Sequence, residues 1–288
     1  GFGYSAVNSI GSNVSSIPVK ALPQGSNPID SFIPVARISD MLLHPGAAFD
    51  YNGKQYTYPE IQLIYWAGGN PFHHHQDLNR MVEAWRRPAT IIAHEWCWNA
   101  QAKFADIVLP CTTPLERTDV ALSRRDRYWI FMEQAIAPHA QARDDFDIFR
   151  AIARHLNVEE EFTGGREKTD WLRWIYAQAC AASTARGNVP PDFDTLRAQR
   201  WFKHDEPQEA TVMLADFRRD PVKCALKTPS GKIEIYSETV AQFGYADCPG
   251  HASWLEPIEW LGNSDGVHDL HLISNQPKTK LHSQLDQG

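Results

Sequence analysis

Between Ile61 and Pro110 apolar strands alternate with amphipathic helices, and that alternation restricts the fold more than any other feature of the chain. The apolar run Ile61–Trp66 suits a buried strand. "QDLNRMVEAWRR" (76–87) sets Leu78, Met81, Val82 and Trp85 at i, i+3, i+4 and i+7, one face of a helix. "ATIIAHEW" (89–96) predicts a second strand, "NAQAKFA" (99–105) a short helix and "DIVLP" (106–110) a third strand. Strand–helix–strand–helix–strand at this pitch is the pattern of an α/β protein with a doubly wound, mostly parallel sheet.

After residue 120 the pattern changes to a helix-rich α/β part. "DDFDIFRAIARHLN" (144–157) and "TDWLRWIYAQACAAS" (169–183) read as helices, the first with Phe146, Phe149, Ala153 and Leu156 as its buried stripe. "PSGKIEIYSE" (229–238) reads as a turn and a strand with Ile233 and Ile235 on one face. A Pro/Gly/Asn-rich stretch from Pro249 to Asp269 reads as a linker, and "DLHLISNQP" (269–277) opens a new strand. The predicted segments are therefore 1–120, 121–262 and 263–288, the last being the start of a further domain. Residues 1–30 read as loop, and Val35 opens a helix with Pro34 near its first turn and Gly46 past its end.

Composition sets the function classes. The 288 residues are 43% hydrophobic with 10 Trp, enough for a sizeable core, and no apolar run is long enough to span a membrane. The opening residues lack the basic and apolar regions of a secretion signal. A formal charge of −7 argues against nucleic-acid binding. Five cysteines without C-x-x-C spacing argue against a disulfide framework, a zinc ribbon or an iron–sulfur cluster.

In open parallel sheets ligands sit at the carboxyl ends of the strands. Three loops leave such ends: "AGGNPFHHHQD" (67–77), "HEWCWN" (94–99) and "PCTTPLERTD" (110–119). Gly68 and Gly69 permit a tight turn and close backbone approach to a ligand, and a helix opening near Gln76 would offer free N–H groups to a pyrophosphate. Glu95 is placed like the acid that accepts ribose hydroxyls in dinucleotide folds. The spacing is not G-x-G-x-x-G, so a plain strand-to-helix turn stays open beside nucleotide binding. Three consecutive histidines on a turn point in different directions, which predicts hydrogen bonding and no metal site. No nucleophile with a partnering base is visible.

"YWAGGNPFHHHQDLNR" (65–80), "FADIVLPCTTPLERTD" (104–119), "TPSGKIEIYSE" (228–238) and "LHLISNQPKTKLHSQLD" (270–286) together resemble the molybdopterin-guanine-dinucleotide oxidoreductases. The likeness is to the branch of trimethylamine-N-oxide, dimethyl-sulfoxide and biotin-sulfoxide reductases. One departure is Glu116-Arg117-Thr118-Asp119, where the family has Glu-Arg-Asn-Asp. The resemblance implies a dinucleotide-binding type of sheet and an internal part of a larger enzyme of anaerobic respiration. Its cofactor would be bis(molybdopterin guanine dinucleotide) molybdenum, taking an oxygen atom from a small S-oxide or N-oxide. A serine that ligates molybdenum would lie outside the matching region, so no catalytic residue is assigned and this part alone is expected to be inactive.

Carried over by position, Gly68, Gly69, Asn70, Pro71, His73, His74, His75, Gln76 and Asp77 would form a loop against one dinucleotide. His94 and Glu95 would reach its guanosine, and Asp119 would accept from guanine N1–H and N2–H. Asn275, Gln276, His282, Ser283 and Gln284 would contact pterin or phosphates. The resemblance also implies an electron donor, a cytochrome or a thioredoxin-like protein, and a periplasmic or cytoplasmic location. A missing neighbour domain would leave an apolar patch that favours self-association. Two other readings remain: a stand-alone nucleotide-binding module without catalysis, and a molybdoenzyme of the formate dehydrogenase or nitrate reductase type.

Overall fold

Each apolar run of residues 61–110 becomes a strand of one parallel sheet. The computed structural model describes residues 19, 21–29, 31–122, 127–205, 212, 214–257, 260–263, 270–273 and 275. Its strands are β1 (Ala48–Tyr51), β2 (Lys54–Thr57), β3 (Leu63–Ala67), β4 (Thr90–Glu95), β5 (Ile107–Pro110), β6 (Asp119–Ala121), β7 (Tyr128–Met132) and β8 (Trp201–Lys203). The helices that bear on function are α1 (Ile38–Leu43), α2 (Pro71–His74), α3 (Leu78–Trp85), α4 (Ala100–Lys103), α5 (Asp145–His155), α6 (Glu159–Thr163), α7 (Lys168–Thr184) and α8 (Phe193–Gln199). Contacts among the described residues group into two units, one within Gly1–Asp30, Gln62–Phe72 and Pro88–Met213, the other within Ser31–Ile61, His73–Arg87 and Leu214–Gly288.

The first unit holds the parallel sheet β3–β4–β5, in register Ala67 with His94 and Glu95 with Pro110. Asp106 accepts from Ile91 N at 2.8 Å and so steers the chain into β5. Beyond it lies an antiparallel sheet, β6–β7–β8. Trp129 and Phe131 of β7 face Tyr176 and Ala179 of α7 and Phe193 and Leu196 of α8, and these six form the buried core. Asp192 caps α8 by accepting from Thr195 N at 2.7 Å. Tyr176 satisfies its hydroxyl on Pro191 O at 2.8 Å, so the ring can sit in the core without an orphaned donor.

The second unit pairs α1 with α3 through an Arg80–Asp40 ion pair. Its β1–β2 hairpin turns at Asn52 and Gly53, both at positive φ. Gly53 is required twice over: its φ is +72°, and a Cβ there would lie 2.5 Å from the Phe243 ring; its N–H donates to Tyr245 Oη at 2.8 Å.

Three expectations fail among the described residues. Residues 229–238 form no strand; Thr228 Oγ1 donates to Lys232 O and Glu234 accepts from Ser230 N, closing a turn that leaves Ile235 89% exposed. Leu270, Leu272 and Ile273 are likewise exposed and in no strand among the described residues. On α5 the buried positions are Ile148 and Ala153, whereas Leu156 is 66% exposed because the helix ends at His155.

Candidate functional site

β3 must leave the sheet abruptly, and Gly68 (φ +83°) and Gly69 (φ +77°) allow it. Among the described residues, a Cβ at Gly68 would meet nothing within 4 Å, and one at Gly69 only Trp66 Nε1 at 3.8 Å. The outward face of this turn is open. Its inward side is fixed. Asn70, buried, accepts from Phe72 N at 3.1 Å, Pro71 opens α2, and Phe72 stacks on Phe104 at 4.6 Å between centroids.

β4 ends on His94 and Glu95, whose side chains leave opposite faces of the strand. His94 is buried, with both ring nitrogens engaged: Nε2 with Tyr65 Oη at 2.7 Å and Nδ1 with Asp145 Oδ1 at 2.6 Å. That leaves no ring nitrogen for a ligand. Glu95 is also buried, and burial pushes its carboxyl above the ordinary range, against bonds from the Asn99 side chain and the Trp96 amide. Asn99 accepts from Ala102 N at 2.9 Å and starts α4. Cys111 N donates to Glu95 O at 3.2 Å, joining the loop after β5 to the same edge. The Cys111 thiol, pushed up to about 11 by burial and then by the charges of Asp145 and Glu95, stays protonated and is no nucleophile.

The loop after β5 is held by Glu116. Its Oε2 accepts from Thr113 N at 2.7 Å and Thr113 Oγ1 at 2.9 Å, and its Oε1 from His139 N at 2.6 Å. Arg117 spans from this loop to Asp119, donating to Thr112 O at 3.0 Å and to Asp119 Oδ2 at 3.4 Å. Asp119 is the first residue of β6, its carboxylate part-exposed. Beside it opens a cleft of about 310 Å³, lined by Thr112, Arg117, Thr118, Arg143, Asp144 and Lys168 among others.

Of the residues singled out from the sequence, Gly68, Gly69, Asn70, Pro71, His94, Glu95 and Asp119 belong to the first unit. The first six occupy the carboxyl ends of adjacent strands, and Arg117 ties Asp119 to Thr112, just past the end of β5. His73 and His74 close α2, both exposed; His75 is half-buried, its imidazole lowered by burial and then by His74. Gln76 is exposed. The next helix does not open there with free amides. Asp77, at φ +50°, caps α3 by accepting from Arg80 N at 3.3 Å, so a carboxylate already stands where an anion would bind. Asn275 is exposed, and Gln276, His282, Ser283 and Gln284 lie outside the described residues. Among the described residues no three His, Cys, Asp or Glu side chains converge as a metal site.

Sequence reasoning missed Glu116, Tyr65 and Asp145. Thr-Pro-Leu-Glu (113–116) carries the capping-box spacing that could have marked Glu116. Nothing local marks Tyr65 or Asp145, since their common partner, His94, is remote from both in sequence.

The family model described as Molybdopterin oxidoreductase matches residues 5–155. The chain belongs to the molybdopterin oxidoreductase family. Membership implies a molybdenum–pterin cofactor in the parent protein. Biotin sulfoxide reductase of Cereibacter sphaeroides is 48% identical over 287 residues, 99% of this chain and 38% of that protein. Dimethyl sulfoxide/trimethylamine N-oxide reductase of the same organism is 43% identical over 88% of this chain and 31% of its own length. Trimethylamine-N-oxide reductase of Haemophilus influenzae is 43% identical, over 88% and 32%. The chain thus spans about a third of the length of these molybdopterin oxidoreductases. Among solved structures, acetylene hydratase from Pelobacter acetylenicus superposes with a TM-score of 0.48 at 18% identity, over 79% of this chain and 30% of that one.

Proposed function

We propose that the parent of this chain is a molybdenum oxidoreductase that reduces small S-oxides or N-oxides, and that the carboxyl edge of β3–β4–β5 holds the guanosine end of one pterin guanine dinucleotide. The observation that carries the site is the open outward face of Gly68–Gly69 on the same sheet edge as the buried Glu95. A side chain at either glycine would intrude on that face, and backbone there can approach a pyrophosphate closely. The polar groups suit the rest of the cofactor: Glu95 and Asp119 are acceptors for ribose hydroxyls and for guanine N1–H and N2–H.

When bound, the cofactor supplies the redox chemistry: two electrons and two protons convert the oxide to sulfide or amine plus water. This chain binds and orients. In this reading Gly68 and Gly69 lie against phosphate, Asn70 and Pro71 hold their turn, and Arg117 sets Asp119. His94 acts through its neighbours, because its nitrogens are taken.

The test is made on the molybdenum-loaded full-length parent. We expect oxidation of reduced viologen with trimethylamine N-oxide, dimethyl sulfoxide or biotin sulfoxide, and GMP released from its cofactor by acid. Loaded protein that turns over none of these, or releases no GMP, rejects the proposal.

A further inference from the structure

We propose that Tyr65, His94 and Asp145 form a hydrogen-bonded brace that positions the carboxyl edge of the parallel sheet for the guanosine nucleotide; the inference rests on the site reading above. The three residues come from β3, β4 and the first turn of α5. A carboxylate can only accept, so His94 Nδ1 carries the proton shared with Asp145 at 2.6 Å. In the neutral ring Nε2 is then an acceptor, and Tyr65 Oη donates to it at 2.7 Å. With the ring neutral, donation runs from Tyr65 to His94 to Asp145. Burial, and then the Asp145 charge, raise the Tyr65 hydroxyl above its ordinary value and keep it a donor.

The brace is packed as well as bonded. Phe149 of α5 stacks on Tyr65 at 5.5 Å and lies 5.0 Å from His94. The His94 side chain is 1% exposed, whereas Asp145 is 53% exposed. The imidazole therefore cannot turn to solvent to replace a lost partner, and the consequence of losing one falls on the strand that carries it. Glu95 is the next residue, and Cys111 N bonds its carbonyl. One residue before Asp145, Asp144 accepts from Thr112 Oγ1 at 2.7 Å, so the same helix start also holds the loop after β5. An acid pair at one helix end thus fixes the ends of two strands, outside any contact with the ligand.

The experiment uses the full-length parent carrying Y65F, D145A or D145N, with E95Q as the direct-contact control. For each variant, cofactor retained per folded polypeptide, read as acid-released GMP, and the rate of loss of this bound dinucleotide on dilution are measured well below the melting temperature. We expect Y65F and D145A to speed nucleotide loss roughly ten-fold, as for one buried hydrogen bond. D145N, which still offers an accepting oxygen, should restore most of it, and KM for the oxide should stay unchanged while kcat follows GMP content. Lower melting temperatures with unchanged nucleotide loss would make the triad structural only and overturn the brace. If E95Q speeds nucleotide loss while Y65F and D145A do not, the brace alone fails. If none of the three alters it, the guanosine site fails and the brace falls with it.

Discussion

Thr112 Oγ1 donates to Asp144 Oδ1 at 2.7 Å, which joins the loop after β5 to the residue ahead of α5. Asp144 also accepts from Lys168 at 2.5 Å, which brings the start of α7 into the same junction. Thr112→Val keeps the shape and removes the donor. It should cost about 1 kcal/mol, read as a lower urea midpoint at unchanged slope. A change in slope would mean that the junction controls compactness and not one bond.

Glu116 should make stability sensitive to acid. Bonds from Thr113 and from the His139 amide hold its carboxyl below the ordinary range. Above the unfolded value this contribution is fully present. As pH falls the unfolded chain takes up its proton first, so stability is lost as pH drops through the lower folded value. Glu116→Gln should flatten that part of the pH profile of urea midpoints and lower the plateau above it. A parent and variant with parallel profiles would refute this role.

His204 should act in the imidazole range. It is buried edge-on to Trp129 at 4.4 Å and Phe202 at 4.8 Å, with neither ring nitrogen hydrogen-bonded. Burial lowers its pKa; Arg127 adds to this and Asp205 opposes it. The folded ring therefore resists protonation, and stability should fall as pH drops below about 6.5, levelling off once the folded ring protonates. His204→Phe should remove that fall. Equal losses in both proteins on acidification would exclude His204 as the cause.

A side chain at Gly69 meets two penalties. The φ of +77° is strained for a β-branched residue, by about 1–3 kcal/mol, so Gly69→Val should unfold earlier in urea. In the parent it should also deplete GMP beyond what the lost stability explains. Gly46 supplies the control, since it too has positive φ and open space but lies outside the site.

The isolated chain should self-associate. Trp254, Leu270, Leu272 and Ile273 are each more than three-quarters exposed, an apolar surface that water disfavours. Sedimentation velocity should show a concentration-dependent coefficient; a single monomeric species at all concentrations would contradict this.

The parallel sheet was readable because its signals are local. Ile61–Trp66, Leu78–Trp85 and Thr90–Glu95 each carry a period or an apolar run, and each becomes an element, although β3 is at most half-buried and Leu63 and Leu78 are exposed. The failures are of another kind. Ile233 and Ile235 have a strand's alternation, but a strand exists only through its ladder, and they pair with no strand among the described residues. At Asp77 the reading located a helix start and missed who occupies it, because a left-handed cap is a three-dimensional choice. In the candidate site Gly68, Gly69 and Glu95 were visible from strand ends. Tyr65 and Asp145 were not, since a hydrogen bond to a residue far along the chain leaves no periodic trace.

β3, β4 and β5 stand in the sheet in the order in which they occur in the chain, pairing Leu63 with Thr90 and Ile92 with Ile107. Loops of this length close at little entropic cost, and low contact order favours early formation. A ribosome releases the chain from its N-terminal end, so this sheet edge has all its strands once Pro110 has emerged. Asp144 and Asp145 are synthesised later. Birth order thus leaves an interval in translation when all three strands of the ligand-facing edge have been made and the residues that lock it have not.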